Sequence, residues 1–324
     1  MSEWSAGDRR EIVFRNRPRP GEGVSMAKRI GFVGVGMMGH GMVKNLLARG
    51  FAVTLVVHKN RKPVEDLLAA GAREVATARQ VAEQSEVVIL CVTGAPEVEQ
   101  VVYGPDGMLA SFRPGMFLLD CSTGEPDLCD RVARDLAARH ASYVDAPLAR
   151  TPVEAEAGKL NTMVGASESV LGEIRPVLEA FCENVFHMGA VGSGARTKLI
   201  YNLITMGYAA LIAEALCACA ATGVDLDRFA KVVGGGGANS GIFQMIVPKI
   251  LESGDYSGLK FSLANAAKDL RYYNRMTSEI PLSGNMGPAV LKSLVQALQT
   301  AHGAGLVGEL VAAQCEANGV ELRR

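Results

Sequence analysis

The chain lacks the marks of several functional classes. Its 324 residues hold 33 Lys and Arg against 34 Asp and Glu, a formal net charge of −1. No basic surplus points to a nucleic-acid partner, and no acidic surplus to a solvated tail. Only five histidines are present, none clustered with cysteine, so no metal site is expected. The seven cysteines are odd in number and form no Cys-x-x-Cys. They read as buried free thiols in a reducing cytosol rather than a disulfide framework. The first residues lack an apolar signal core, so a cytoplasmic location is expected rather than secretion. No internal repeat or low-complexity tract occurs.

Only one apolar run is long. Residues 199–223 have the length of a membrane span but are rich in Ala, Gly and Cys and include Asn202 and Glu214. With one such stretch and no basic flank, it reads as the buried spine helix of a soluble protein, with no membrane partner. What remains is an ordinary globular balance, 48% hydrophobic and 21% charged, long enough for two domains.

Residues 1–27 are polar, with Pro18, Pro20, Gly21 and Gly23, and are expected to be disordered. From residue 29 strand and helix alternate. Apolar runs at 29–33, 52–57, 87–92, 116–121 and 143–144 read as strands. Helical spacing covers 40–49, 63–70 and 126–139, with Gly50 and Gly71 as stops. This order implies an α/β fold with a doubly wound parallel sheet over 28–191. After about residue 190 strand signals vanish. Segments 195–222, 225–233, 240–253, 261–278, 286–301 and 304–317 read as helices, punctuated by Gly234-Gly235-Gly236-Gly237 and Pro281. An all-helical second domain, 192–324, is therefore expected to bear the substrate and oligomer contacts.

Gly34-Val35-Gly36-Met37-Met38-Gly39 matches G-x-G-x-x-G between a strand and a helix, the context a dinucleotide requires. Gly34 permits the turn, Gly36 admits a pyrophosphate to the helix N-terminus, and Gly39 lets helix and strand pack closely. An acidic residue some ~20 positions later would read a ribose 2′-hydroxyl. His58-Lys59-Asn60-Arg61 stands there instead. Lys59 and Arg61 suit a 2′-phosphate, so NADP is favoured over NAD; the alternative is that they face solvent.

Lys198 and Asn202, four apart, share one face at the start of the apolar helix. Partial burial there lowers a lysine's pKa towards the range of proton transfer. A helix-end lysine that snorkels to water fits the spacing equally well.

Taken together, these motifs resemble the β-hydroxyacid dehydrogenase family, which includes 3-hydroxyisobutyrate dehydrogenases and tartronate semialdehyde reductases. The resemblance runs from about residue 29 to residue 317. It rests on residues 31–39 with Met42 and Asn45-Leu46, on Asp120-Cys121-Ser122-Thr123, and on Asp145-Ala146-Pro147 with Ala155-Glu156-Ala157-Gly158. Residues 194–202, and Phe261 with Lys268-Asp269-Leu270, complete it. It implies hydride transfer between a nicotinamide and a small hydroxy acid or its aldehyde. Lys198 is then the acid–base, Asn202 a substrate contact, Lys268 a neighbour of the nicotinamide, and Ser122 and Thr123 neighbours of its ribose. Val92 and Thr93, at a strand end, join Gly34, Gly36, Met37, Met38, Gly39, His58, Lys59, Asn60 and Arg61 as expected cofactor contacts.

Two positions depart from the family pattern. Leu148-Ala149-Arg150-Thr151 replaces the usual Val-Ser-Gly-Gly, and Tyr201 stands where another Asn is common. The Arg-Thr pair is similar to that of sulfolactaldehyde reductases. Ala149, Arg150 and Thr151 are therefore expected to line the substrate site, with Arg150 gripping an anionic tail; the alternative is that Arg150 pairs with Glu154. Two other functions compete. One is an imine reductase, which typically lacks the lysine; the other is a non-catalytic NADP(H) sensor, which has no use for Lys198, Asn202 and Lys268 together. A homo-oligomer is expected from the apolar helical half.

Overall fold

The computed structural model describes residues 28–58 and 61–322. The expectations for residues 1–27, Lys59 and Asn60 concern positions outside these. Strand and helix alternate as β1 (Ile30–Val33), α1 (Met37–Ala48), β2 (Val53–Val56), α2 (Glu65–Ala69), β3 (Arg73–Val75), α3 (Ala78–Glu83) and β4 (Val87–Leu90). Then follow α4 (Ala95–Tyr103), β5 (Phe117–Asp120), α5 (Pro126–Ala137) and β6 (Ser142–Asp145). These strands pair in parallel in the order β3-β2-β1-β4-β5-β6. Every residue of β1, β4 and β5 is buried, as continuous apolar runs demand when helices cover both faces. That strand order is the doubly wound dinucleotide fold, whose ligands sit beyond the strands' C-terminal ends.

The sequence analysis placed no element between Pro147 and about residue 190. The chain forms β7 (Leu148–Ala149), α6 (Pro152–Glu156), β8 (Leu160–Gly165), α7 (Glu168–Leu178) and β9 (Cys182–Gly189) there. β8 runs antiparallel to β6 and β7, and β9 lies parallel to β8. β9 escapes pattern reading because its outer residues, Glu183 and His187 among them, interrupt any apolar alternation.

The remainder is helical: α8 (Ser193–Thr222), α9 (Leu226–Gly234), α10 (Gly241–Ser253), α11 (Leu263–Ser278), α12 (Met286–Leu298) and α13 (Leu310–Ala317). Two cores result. One lies under α1, with Met42, Val43 and Leu46 against β1 and β2. The other joins the α3–α4–α5 face, through Val81, Val98 and Val132, to Leu199, Met206, Leu270 and Leu294 of the helical half. The two halves therefore share a core, and their seam meets the strand ends.

The expectation of a spine buried all round needs correction. α8 spans 30 residues, about 45 Å at 1.5 Å per residue, and it is buried on one side. Leu199, Asn202, Met206, Ala209, Ala213 and Leu216 face inward. Ile200, Ile204 and Leu211 stay 49%, 52% and 57% exposed on the other side. Its neighbours α11, α12 and α13 cover only that inward side. Among the described helices α8 is the one long and apolar enough to cross a membrane, by length and composition alone.

Candidate active site

The glycine loop has the form its motif implies. Gly34 adopts φ +104°, and a Cβ there would lie 2.2 Å from the Cys91 carbonyl oxygen. At Gly39 a Cβ would lie 2.2 Å from the Gly34 carbonyl and 2.9 Å from the Phe32 ring. Gly36 meets nothing within 4 Å and is exposed. The first turn of α1 carries no side-chain cap and no acidic residue. Open space before an uncapped helix start fits a dinucleotide pyrophosphate, which the free N–H groups would receive. Met37 is 76% exposed beside it, and Met38 is half-buried.

At the end of β2, His58 is exposed. Arg61 forks onto Glu74, with Nη1–Oε1 at 2.9 Å and Nη2–Oε2 at 2.8 Å. The sequence analysis did not foresee this partner. The ends of β4 and β5 brace each other: the Val92 amide donates to Ser122 Oγ at 3.0 Å, and the Ser122 amide donates to Asp120 Oδ1 at 2.9 Å. Thr93 is exposed and Thr123 half-buried. Burial pushes the Asp120 carboxyl above its ordinary value, opposed by hydrogen bonds from Ser122 and Tyr143.

The structure brings Lys198, Asn202 and Lys268 together, with a fourth residue the sequence analysis gave no role. Asn202 Nδ2 donates to Asp269 Oδ2 at 2.6 Å, both residues being buried. Lys268 Nζ meets Asp269 Oδ1 at 2.7 Å, without hydrogen-bond alignment. The same ammonium donates to the Thr123 carbonyl at 3.3 Å and lies 4.9 Å from the centre of the Tyr272 ring. The Tyr272 hydroxyl accepts the Ala95 amide at 3.1 Å, so α11 is tied to the start of α4. Gly94 clears the space, since a Cβ there would lie 2.8 Å from that hydroxyl. A sequence signal for Asp269 did exist. It sits three residues after Ala266 and four before Tyr273, on the face α11 buries, and a carboxylate on a core face needs a partner.

Lys198 is half-buried, and its ammonium lies 5.4 Å from the centre of the Tyr201 ring. Burial lowers its pKa to about 8; the Asp269 carboxylate works against that shift and the Lys268 ammonium adds to it. Loss of water disfavours the charged form, which is the direction a proton-transfer role calls for.

The loop at residues 148–151 has partners that the sequence analysis did not name. Ala149 is buried. Arg150 holds φ 82°, unusual for a residue with a side chain. Its Nη1 reaches Glu183 Oε2 and the Lys159 carbonyl, each at 2.5 Å. Glu154 is engaged elsewhere: it accepts from the Thr151 hydroxyl at 2.6 Å and the Thr151 amide at 2.9 Å, closing a capping box on α6. Neither Arg150 nor Thr151 hydrogen-bonds to the Lys198 cluster. On the outer side of the loop, α6 packs against α1, where His40 bridges Glu156 and Asp66.

Known proteins match this arrangement along the chain. A family model described as the NAD binding domain of 6-phosphogluconate dehydrogenase matches residues 29–189. A second, described as the NAD-binding of NADP-dependent 3-hydroxyisobutyrate dehydrogenase, matches residues 192–311. The chain is 33% identical to 2-(hydroxymethyl)glutarate dehydrogenase from Eubacterium barkeri, over 75% of its length and 80% of the relative's. It is 30% identical to 3-sulfolactaldehyde reductase from Escherichia coli, over 85% and 91%. Among solved structures, 3-hydroxyisobutyrate dehydrogenase from Mycobacterium tuberculosis shares the fold with a TM-score of 0.80 at 24% identity, over 89% of this chain and 99% of that one. The chain therefore belongs to the 3-hydroxyisobutyrate dehydrogenase family of NAD(P)-dependent enzymes that act on small hydroxy acids.

Proposed function

We propose that the enzyme interconverts a small hydroxy acid and its aldehyde or keto form, with Lys198 as acid–base, on substrates whose anionic tail is received by Arg150 and Thr151. The observation that carries this reading is the Lys198 ammonium, buried beside Asp269 and Lys268 with its pKa brought down to about 8. The bound nicotinamide supplies or takes the hydride. In the reducing direction negative charge gathers on the substrate oxygen, and Lys198 delivers its proton there; in the oxidising direction neutral Lys198 takes that proton back. Asp269 holds the Asn202 amide in one orientation and balances Lys268, so a polar substrate oxygen meets donors already in place.

The tail contact rests on Arg150. Its pair with Glu183 is partly exposed, and such pairs contribute only about 0–1 kcal/mol. An incoming carboxylate or sulfonate can therefore take the guanidinium over. The relative named 3-sulfolactaldehyde reductase supports an anionic tail of this kind. NADP is preferred over NAD in this reading: Arg61, exposed with Glu74 at the end of β2, is available to a 2′-phosphate. His58, exposed at the same strand end, joins it in this reading. We place Ser122, Thr123, Val92 and Thr93 along the nicotinamide ribose.

Absorbance at 340 nm tests the reading. Wild type with NADPH should reduce one or more of sulfolactaldehyde, tartronate semialdehyde and glyoxylate, and leave cyclic imines untouched. Lys198→Ala should lower kcat by roughly 10²–10⁴-fold while keeping cofactor affinity. Imine-only turnover, or a fully active Lys198→Ala, sinks it.

The enzyme is also proposed to pair with a second copy over the exposed Ile200–Ile204–Leu211 stripe. One helix face can meet its own copy about a twofold axis, and monomers rarely expose contiguous apolar patches of this kind. Ile204→Glu should shift the mass measured by light scattering to that of one chain; an unchanged mass removes the stripe as the interface.

A further inference from the structure

The last residue of β6 is Asp145, 1% exposed. Its carboxylate leaves the sheet half and closes the N-terminus of α8: the Gly192 amide donates to Oδ1 at 2.7 Å and the Ala195 amide to Oδ2 at 2.8 Å. α8 has no side-chain cap of its own, and its N-cap, Gly192, sits at φ +86°. Two orphan donors of the longest helix thus depend on a carboxylate 47 and 50 residues earlier in the chain. The packing around it leaves no slack. A Cβ at Gly165 would lie 2.4 Å from Oδ1, and one at Gly194 would lie 2.2 Å from the Met163 carbonyl. Lys198 lies three residues beyond Ala195, about 4.5 Å along the axis.

We propose that Asp145 is a positioning residue: by capping α8 from the opposite half, it sets where Lys198 and Asn202 meet Lys268 and Asp269. α11 is held separately, by Lys268 on the Thr123 carbonyl and Tyr272 on the Ala95 amide. α11 also packs directly on α8, so a shift of α8 loads that seam, and the 2.6 Å bond from Asn202 to Asp269 is the polar contact it strains. This inference rests on Lys198 as the acid–base. In the sequence Asp145 carried only the family resemblance; in the fold its carboxylate turns towards the lysine's helix.

Asp145→Asn tests it, because the amide keeps one acceptor but sets an N–H₂ against a backbone N–H. The assay uses NADPH and whichever of sulfolactaldehyde, tartronate semialdehyde and glyoxylate wild type reduces fastest. kcat should fall by roughly 10–100-fold, the scale of a misplacement near 1 Å, while the NADPH Kd stays within about twofold. The alkaline limb of the reduction, set by Lys198, should move upward as the ammonium regains water. The charged and titratable groups facing that ammonium, Asp269 and Lys268 from α11 and Tyr201 from α8, are unchanged in the variant. Lys198→Ala runs alongside. If Lys198→Ala keeps its turnover, the acid–base reading fails. If Lys198→Ala is inactive but folded Asp145→Asn keeps wild-type kcat and limb, or loses cofactor binding in step with kcat, the positioning role is overturned and the acid–base reading stands. Should Asp145→Asn not fold, Gly194→Ala pushes α8 off the same cap, and the same two outcomes decide.

Discussion

Where the cofactor loop meets its neighbours, side chains have been removed; where Lys198 meets α11, charged ones have been crowded together. Gly34, Gly36 and Gly39 work through what they lack, leaving backbone close to backbone and open space for a ligand. Lys198, Lys268, Asp269 and Asn202 work through what they carry, and each depends on the others to remain buried and polar. The first region tolerates little bulk, and the second tolerates little change of charge.

The largest expected effect falls on the charged cluster. Asp269→Asn removes the carboxylate that raises the Lys198 pKa, so that pKa should drop below about 8. On the acid–base reading protonated Lys198 serves reduction, so the alkaline loss of activity should begin at a lower pH. kcat should fall by roughly 10²–10³-fold. A pH–rate profile reads both, and a limb that stays in place breaks the comparison.

The glycine loop divides more finely. Gly36→Val adds bulk only where the ligand goes. Its Tm should match wild type while the cofactor Kd rises roughly a hundredfold, the equivalent of one or two hydrogen bonds to a charged group. Gly39→Val should instead lower folding stability by about 1–3 kcal/mol through overpacking, seen in urea unfolding. Equal thermal losses in both would show that Gly36 has a packing role after all.

The smallest effect belongs to the loop that lies in neither region. Arg150→Ala should raise KM for an anionic aldehyde by roughly tenfold, the worth of one charge-assisted hydrogen bond, and leave the KM for NADPH unaltered. An unchanged aldehyde KM ends the tail hypothesis.

The sequence yields these regions unequally. The glycine loop is legible because turn, helix start and strand are contiguous, and local geometry fixes what each glycine does. Five of the six parallel strands follow from apolar runs, and the helices of the second half from their spacing and glycine stops; the edge strand β3, Arg73–Val75, is largely exposed and gives no such run. Lys198 and Asn202 are legible as a pair because four residues of helix join them. Their partner Asp269 lies 67 positions from Asn202, and no local pattern joins them. Separations of 33 and 47 positions likewise hide Glu183 from Arg150 and Gly192 from Asp145. Spacing locates side chains on a face, and only the fold says which faces meet.

Arg150 has one further implication. A left-handed backbone angle at a residue with a Cβ costs on the order of 1–3 kcal/mol, and the Arg150 position has one. Glycine would relieve that strain, but it would also remove the bonds from the guanidinium to Glu183 and to the Lys159 carbonyl. The strained main chain and the side chain's partners are therefore set against each other at this one position.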